Sequence, residues 1–179
     1  MISIISGTNR KGSQNLKLTN FYADLMREMT SEEVKVLALE DIDHSWFHNE
    51  MYGPEAQGGS LAKLQDEYIT AADRLVFFAP EYNGGIPGAL KLFLDGISIR
   101  NYATNFKNKS IGLIGVASGR AGNLRGIDYL GNVLQHMGGH VMPNKLPISQ
   151  IGGLMEGDQV TDSNTITAMK AHIDAVLKF

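Results

Sequence analysis

The chain has 179 residues, 43% of them hydrophobic, a formal net charge of −3 and no cysteine. The length suits one domain, residues 1–179, with a full core, and the missing cysteines exclude disulfide frameworks, thiolate zinc sites, iron–sulfur ligation and cysteine nucleophiles. The charge lacks the basic excess that neutralises nucleic-acid phosphates, and the longest apolar runs, Leu75–Pro80 and Ile111–Ala117, fall far short of the roughly 20 residues of a spanning helix. No nucleic-acid or membrane partner is therefore expected. Met1–Ser6 carries no basic flank and Gly7–Asn15 is polar, so no signal peptide is read and the expected location is the cytoplasm.

In chain order, Ile2–Ser6 reads as a buried strand ending at Gly7. Leu18, Phe21, Tyr22, Leu25, Met26 and Met29 recur at helical spacing. Val34–Leu39 reads as a second strand. Asp41–Gly59, with Gly53, Pro54 and Gly58, reads as the longest loop. Ser60 can cap a helix facing inward through Leu61, Leu64, Tyr68 and Ala72. Leu75–Ala79 is the clearest buried strand, followed by a loop over Pro80–Gly85. Pro87 suits a helix start, and Leu90, Phe93, Leu94 and Ile97 form that helix's stripe. Ile111–Ala117 is a further strand. Ile127, Leu130, Leu134 and Met137 make a helix face closed by Gly138-Gly139. His140–Met142 begins a last strand, and Asp162 or Ser163 caps a final helix carrying Ile166, Met169, Ile173, Val176 and Leu177. Strands alternating with amphipathic helices predict an α/β fold, a flavodoxin-like, doubly wound five-stranded parallel sheet with helices on both faces.

In such sheets ligands bind outside the carboxyl ends of the strands, where three loops are rich in glycine and hydrogen-bonding groups. In Gly7–Asn15, the hydroxyls of Thr8 and Ser13, the amide of Asn15, the charges of Arg10 and Lys11 and a helix N-terminus are what a phosphate monoester requires. The loop is neither a Walker A sequence nor Gly-x-Gly-x-x-Gly. On its own it also fits ordinary capping by Ser13 beside a solvated Arg-Lys pair. Pro80–Gly88 could bring backbone amides and Tyr82 against a flat ring, or be a tight strand-to-helix turn. Ser118–Asn123 could close the far side of a planar ligand, or be a glycine-rich cap with a solvated Arg120. Two histidine pairs lack the spacing of a zinc-protease helix, His44 with His48 and His136 with His140, so no metal is expected. No Gly-x-Ser-x-Gly elbow points to a hydrolase.

These loops carry a resemblance. Gly7-Thr8-Asn9-Arg10-Lys11-Gly12-Ser13-Gln14-Asn15 is similar to the motif Gly-Ser-x-Arg-x-x-Ser-x-Asn of the NAD(P)H-dependent FMN reductase family, which includes quinone, azo-dye and chromate reductases. Pro80, Glu81, Tyr82, Asn83, Pro87, Gly88, Leu90, Lys91, Asp95 and Ser98 stand in register with its second motif. Gly85, Leu92, Gly96 and Ile99 depart from it, replacing serine, asparagine, tryptophan and arginine. The resemblance implies bound FMN, with NAD(P)H as co-substrate. It implies that Thr8, Arg10, Ser13, Gln14 and Asn15 bind the FMN phosphate. Pro80, Glu81, Tyr82, Asn83 and Gly84 would line the isoalloxazine, and the loop of Ser118, Gly119, Arg120 and Gly122 would flank it. It further implies a small-molecule electron acceptor (free flavin, quinone, azo compound or metal oxyanion) and a homodimer or homotetramer. No catalytic side chain is expected, because a flavin carries the redox chemistry itself. Trp46, Phe47 and Tyr52 could cover a flavin or simply pack their loop. The alternatives are a non-enzymatic flavodoxin-like electron carrier and a scaffold domain without cofactor.

Overall fold

A computed structural model describes residues 1–53 and 59–179. Pro54 and Gly58, part of the loop expected over 41–59, lie outside the described residues. The elements run β1 (Ile2–Ser6), α1 (Gln14–Met29), β2 (Val34–Ala38), α2 (Gly59–Leu64, prolonged by a π-helical turn over Gln65–Thr70), β3 (Arg74–Pro80) and α3 (Gly88–Ile97). A short α4 (Tyr102–Asn105) then leads to β4 (Ser110–Val116), α5 (Leu124–His136), β5 (His140–Val141), β6 (Leu146–Ile148), β7 (Met155–Glu156), β8 (Gln159–Val160) and α6 (Ser163–Lys178).

The main sheet is parallel, in the order β2-β1-β3-β4-β5, with β6 also on β4. This is the doubly wound, flavodoxin-like order read from the alternation of elements. Side chains alternate along each strand. Ile5, Phe77 and Leu113 face a core shared with α2, α3 and α5, whereas Ile4, Phe78 and Ile114 face α1 and α6. β1 is buried throughout, as a central parallel strand covered on both faces must be.

The expected last strand is divided. β5 stops at Val141, Pro143 cannot donate to a ladder, and β6 resumes pairing where Leu146 meets Ile114. The β7–β8 hairpin, α4 and the π turn were not expected from the sequence. The hairpin is held to α1 by Lys17 and Asp158 at 2.8 Å. The π turn ends on a buried lysine. Lys109 Nζ donates to the carbonyls of Ile69 (2.7 Å), Thr70 (2.9 Å) and Ala72 (2.5 Å), satisfying the orphan acceptors of that helix end. Burial lowers the Lys109 pKa from its ordinary value.

Trp46 is 4% exposed, so it belongs to the core. Its Cζ3 lies 2.8 Å from where a Cβ on residue 96 would stand, and Leu61 Cδ2 lies at 2.9 Å. The indole that the family motif carries at position 96 is replaced here by an indole entering from the loop after β2. Gly96 is the space it needs. Phe47 and Tyr52, by contrast, are exposed. Gly96→Ala is expected to cost about 1–3 kcal/mol through overpacking, read as a lower urea midpoint with an unchanged m-value.

Across the other core, Tyr22 Oη and His172 Nδ1 are hydrogen-bonded at 2.8 Å. Burial lowers the His172 pKa from 6.5 to about 4 and raises that of Tyr22. Between pH 6.5 and about 4 the unfolded chain therefore binds a proton at this histidine that the folded chain does not. Stability is lost as pH falls through that window and is fully present above it. Urea titrations at pH 7, 6 and 5 are expected to show a loss approaching about 1.4 kcal/mol per pH unit inside the window. A His172→Gln protein is expected to lack that part of the slope.

Candidate functional site

Parallel pairing brings the carboxyl ends of β1, β3 and β4 to one edge, and strand order reverses between β1 and β3. The crevice at such a reversal is the usual ligand position. The Gly7 N–H donates to the Phe78 carbonyl at 2.9 Å, holding the first two loops together at their base. Above them lies a cleft of 310 Å³. Thr8, Arg10, Ser13, Gln14 and Asn15 line it from the first loop, Pro80, Glu81 and Tyr82 from the second, and Ser118 from the third.

The first loop is built around the start of α1. Ser13 is its N-cap, with Oγ accepting from the Leu16 N–H at 3.1 Å, as an N-cap serine does. Thr8 is buried, and its Oγ1 accepts from the Arg10 N–H at 3.2 Å. That same hydroxyl meets Tyr82 Oη at 2.9 Å, so the first and second loops share a hydrogen bond over the cleft. Asn15 is also buried and its Nδ2 donates to Ser6 Oγ at 2.8 Å. It ties α1 to the end of β1 as well as lining the cleft. Arg10 is exposed.

In the second loop, Tyr82 and Gly85 exchange backbone hydrogen bonds at 3.0 Å in both directions. Asn83 and Gly84 between them have φ of 52° and 77°. This is the two-residue turn with both centres left-handed that Asn-Gly favours. Asn83 and Gly84 thus form a turn tip and do not line the cleft. The Glu81 N–H donates to the Val116 carbonyl at 2.8 Å, and its side chain makes no hydrogen bond or ion pair among the described residues.

The third loop folds down toward β6. The Gly119 carbonyl accepts from the Gln150 N–H at 3.0 Å, and the Arg120 carbonyl from Ser149 Oγ at 2.7 Å. A Cβ on Gly122 would stand 2.7 Å from Pro147 Cβ. Gly119, Arg120 and Gly122 therefore shape a rim and do not line the cleft. Four residues not singled out from the sequence do line it: Gly12, Val116, Ala117 and Ile151. Gly12 lay inside the motif that was read, but Ile151 arrives from beyond β6 and had no local signal.

Residues 1–153 match the family described as NADPH-dependent FMN reductase. The chain belongs to that family. It is similar to FerB, a flavoenzyme NAD(P)H:(acceptor) oxidoreductase from Paracoccus denitrificans. That solved structure superposes with a TM-score of 0.78 at 25% identity, covering 99% of this chain and 94% of that one. An NADPH azoreductase of Bacillus sp. (strain OY1-2) is 26% identical over 175 residues, covering 95% of this chain and 90% of the relative. A quinone reductase of Pseudomonas putida is 28% identical over 122 residues, and the match spans 62% of that relative's length. The expected family, its reductase chemistry and its FMN cofactor are thereby borne out.

The donors in this FMN reductase family member fit a flavin mononucleotide. The first loop already holds an anion, because the Glu40 carboxylate accepts from the Gly12 N–H at 3.2 Å and from Ser13 Oγ at 3.5 Å. Glu40 follows β2 and was missed by reading the sequence, since only the β1–β2 pairing places it there. Pro80, Val116, Ala117 and Ile151 add apolar wall to the same cleft, as a planar ring requires. Because φ at residue 84 is 77°, Gly84→Ala is expected to cost about 1–2 kcal/mol, measured by thermal or urea unfolding.

Proposed function

We propose that residues 1–179 form one FMN-binding domain whose task is NAD(P)H-dependent reduction of a small acceptor, with its site in the cleft at the carboxyl ends of β1, β3 and β4. One observation carries the placement. Three loops distant in sequence meet there, and the loop at the start of α1 already grips a carboxylate through Gly12 and Ser13. The Arg10 guanidinium, the hydroxyls of Thr8 and Ser13, Gln14, the Asn15 amide and the N-terminal dipole of α1 would hold the phosphate. Pro80, Glu81 and Tyr82, with the Asn83-Gly84 turn beside them, would hold one side of the ring system. Ser118, with Gly119, Arg120 and Gly122 behind it, would flank the other.

Bound FMN supplies the hydride-accepting and electron-donating chemistry between nicotinamide and acceptor. The protein's part is orientation and exclusion of water. The Thr8–Tyr82 hydrogen bond holds two walls at one spacing, and the Gly7–Phe78 bond closes the floor. Quinones and azo compounds are the acceptor classes that the relatives' names support. Free flavin and metal oxyanions remain within the same chemistry.

We further read the protein as a cytoplasmic homo-oligomer. Exposed Tyr102, Leu124 and Tyr129 support self-association, and light scattering after size exclusion tests it. Among the described residues no helix is long and apolar enough to cross a membrane.

The functional reading is tested by titrating flavin-stripped protein with FMN, with riboflavin as the control. FMN is expected to bind far more tightly. Arg10→Ala is expected to lose about 1.5–3 kcal/mol of that preference, roughly 10- to 150-fold in Kd, and to leave riboflavin binding unchanged. Equal binding of FMN and riboflavin by the wild-type protein would sink the reading. Steady NAD(P)H consumption with a quinone then separates an enzyme from an electron carrier.

A further inference from the structure

Glu40 stands two residues beyond β2. Ser6 pairs with Ala38 in the parallel register, and the Leu39 N–H donates to the Ser6 carbonyl at 3.1 Å. The chain leaving β2 is thereby laid against the loop that leaves β1. The Glu40 carboxylate takes two of that loop's donors, Gly12 N–H at 3.2 Å and Ser13 Oγ at 3.5 Å. Among the described residues it makes no ion pair. Lys17 in the first turn of α1 is committed to Asp158 at 2.8 Å, and Arg10 and Lys11 form no ion pair there. The carboxylate is held by donors of the loop and the charge at a helix start, which is how that site would hold a phosphate.

Two anions cannot share these donors. A phosphate monoester brings about −1.5 to −2 charges at neutral pH, and a carboxylate at contact distance repels it. We propose that Glu40 is an internal placeholder anion that must give up Gly12 and Ser13 before a flavin phosphate can take them, and that it thereby sets how tightly this chain holds FMN. The inference rests on the phosphate assignment of the first loop made above. It makes cofactor binding an exchange of one anion for another. The Gly12 N–H and the Ser13 hydroxyl keep an anionic partner whether or not flavin is bound, and FMN leaves more easily than the loop's own donors would allow.

The test uses the flavin-stripped protein and two variants, Glu40→Gln and Glu40→Ala, each titrated with FMN and with riboflavin and each melted without flavin. Both variants are expected to bind FMN about tenfold more tightly, equivalent to about 1.4 kcal/mol, with riboflavin affinity unchanged. Without flavin both are expected to melt a few degrees lower, because the loop leading into α1 and its Ser13 cap lose that anion. FMN affinity that is unchanged or weakened in both variants, while wild type still prefers FMN to riboflavin, would overturn the placeholder and leave the phosphate assignment intact. Tightening of riboflavin by the same factor would also overturn it, because Glu40 would then act on the whole cleft. If all three proteins bind FMN and riboflavin alike, the phosphate assignment fails and the placeholder fails with it.

Discussion

The parallel pairing of β1 with β3 is the constraint on which the rest of the molecule depends. Ile2 to Ser6 run in register with Arg74 to Phe78, so β1 ends beside Phe78, two residues before β3 ends at Pro80. The next peptide, Gly7, donates back to Phe78. That one hydrogen bond brings a loop at position 7 within reach of a loop at position 80. Chain order diverges there, with β2 on one side and β4 on the other. The resulting crevice is lined by backbone and side chains that no neighbouring strand covers.

Around this switch point several polar groups connect one segment to another. Thr8 reaches Tyr82, Asn15 reaches Ser6, and Ser149 reaches the Arg120 carbonyl. A cleft braced in this way is largely pre-organised, so less of a ligand's binding energy is spent on ordering the walls. Away from the cleft, the buried amides of Gln65 and Asn105 both donate to the carbonyls of Ile97 and Arg100. They close the end of α3 and leave its apolar face to Trp46 and Leu61.

The exchange of indole position shows how a family pattern can break in sequence and persist in space. A tryptophan is missing from α3, yet an indole still packs beside residue 96, delivered by a loop fifty residues earlier. Core volume is conserved because close-packed interiors penalise both voids and excess. The same logic covers the divided edge strand. Pro143 interrupts the ladder, but β4 still receives a partner along both of its halves.

The order of strands and helices was legible in the sequence because apolar periodicity is a local property, and a parallel sheet with two covered faces writes it strongly. The two loop motifs were legible for a similar reason: the groups we propose for the phosphate lie within nine consecutive residues, Gly7 to Asn15. Pro80–Gly85 was likewise visible as a loop, though the two-residue Asn83-Gly84 turn at its tip was not. Contacts between segments that never meet in sequence were decided only by the tertiary structure. Glu40 reaches the first loop through the β1–β2 register, Ile151 reaches the cleft past the broken edge strand, and Trp46 leaves its loop for the core over Gly96. Sequence by itself therefore determined the main alternation of strands and helices and the type of ligand chemistry, since both depend on neighbours along the chain. Only the fold decided which distant residues share that site, because strand register and close packing, not local propensity, place them there.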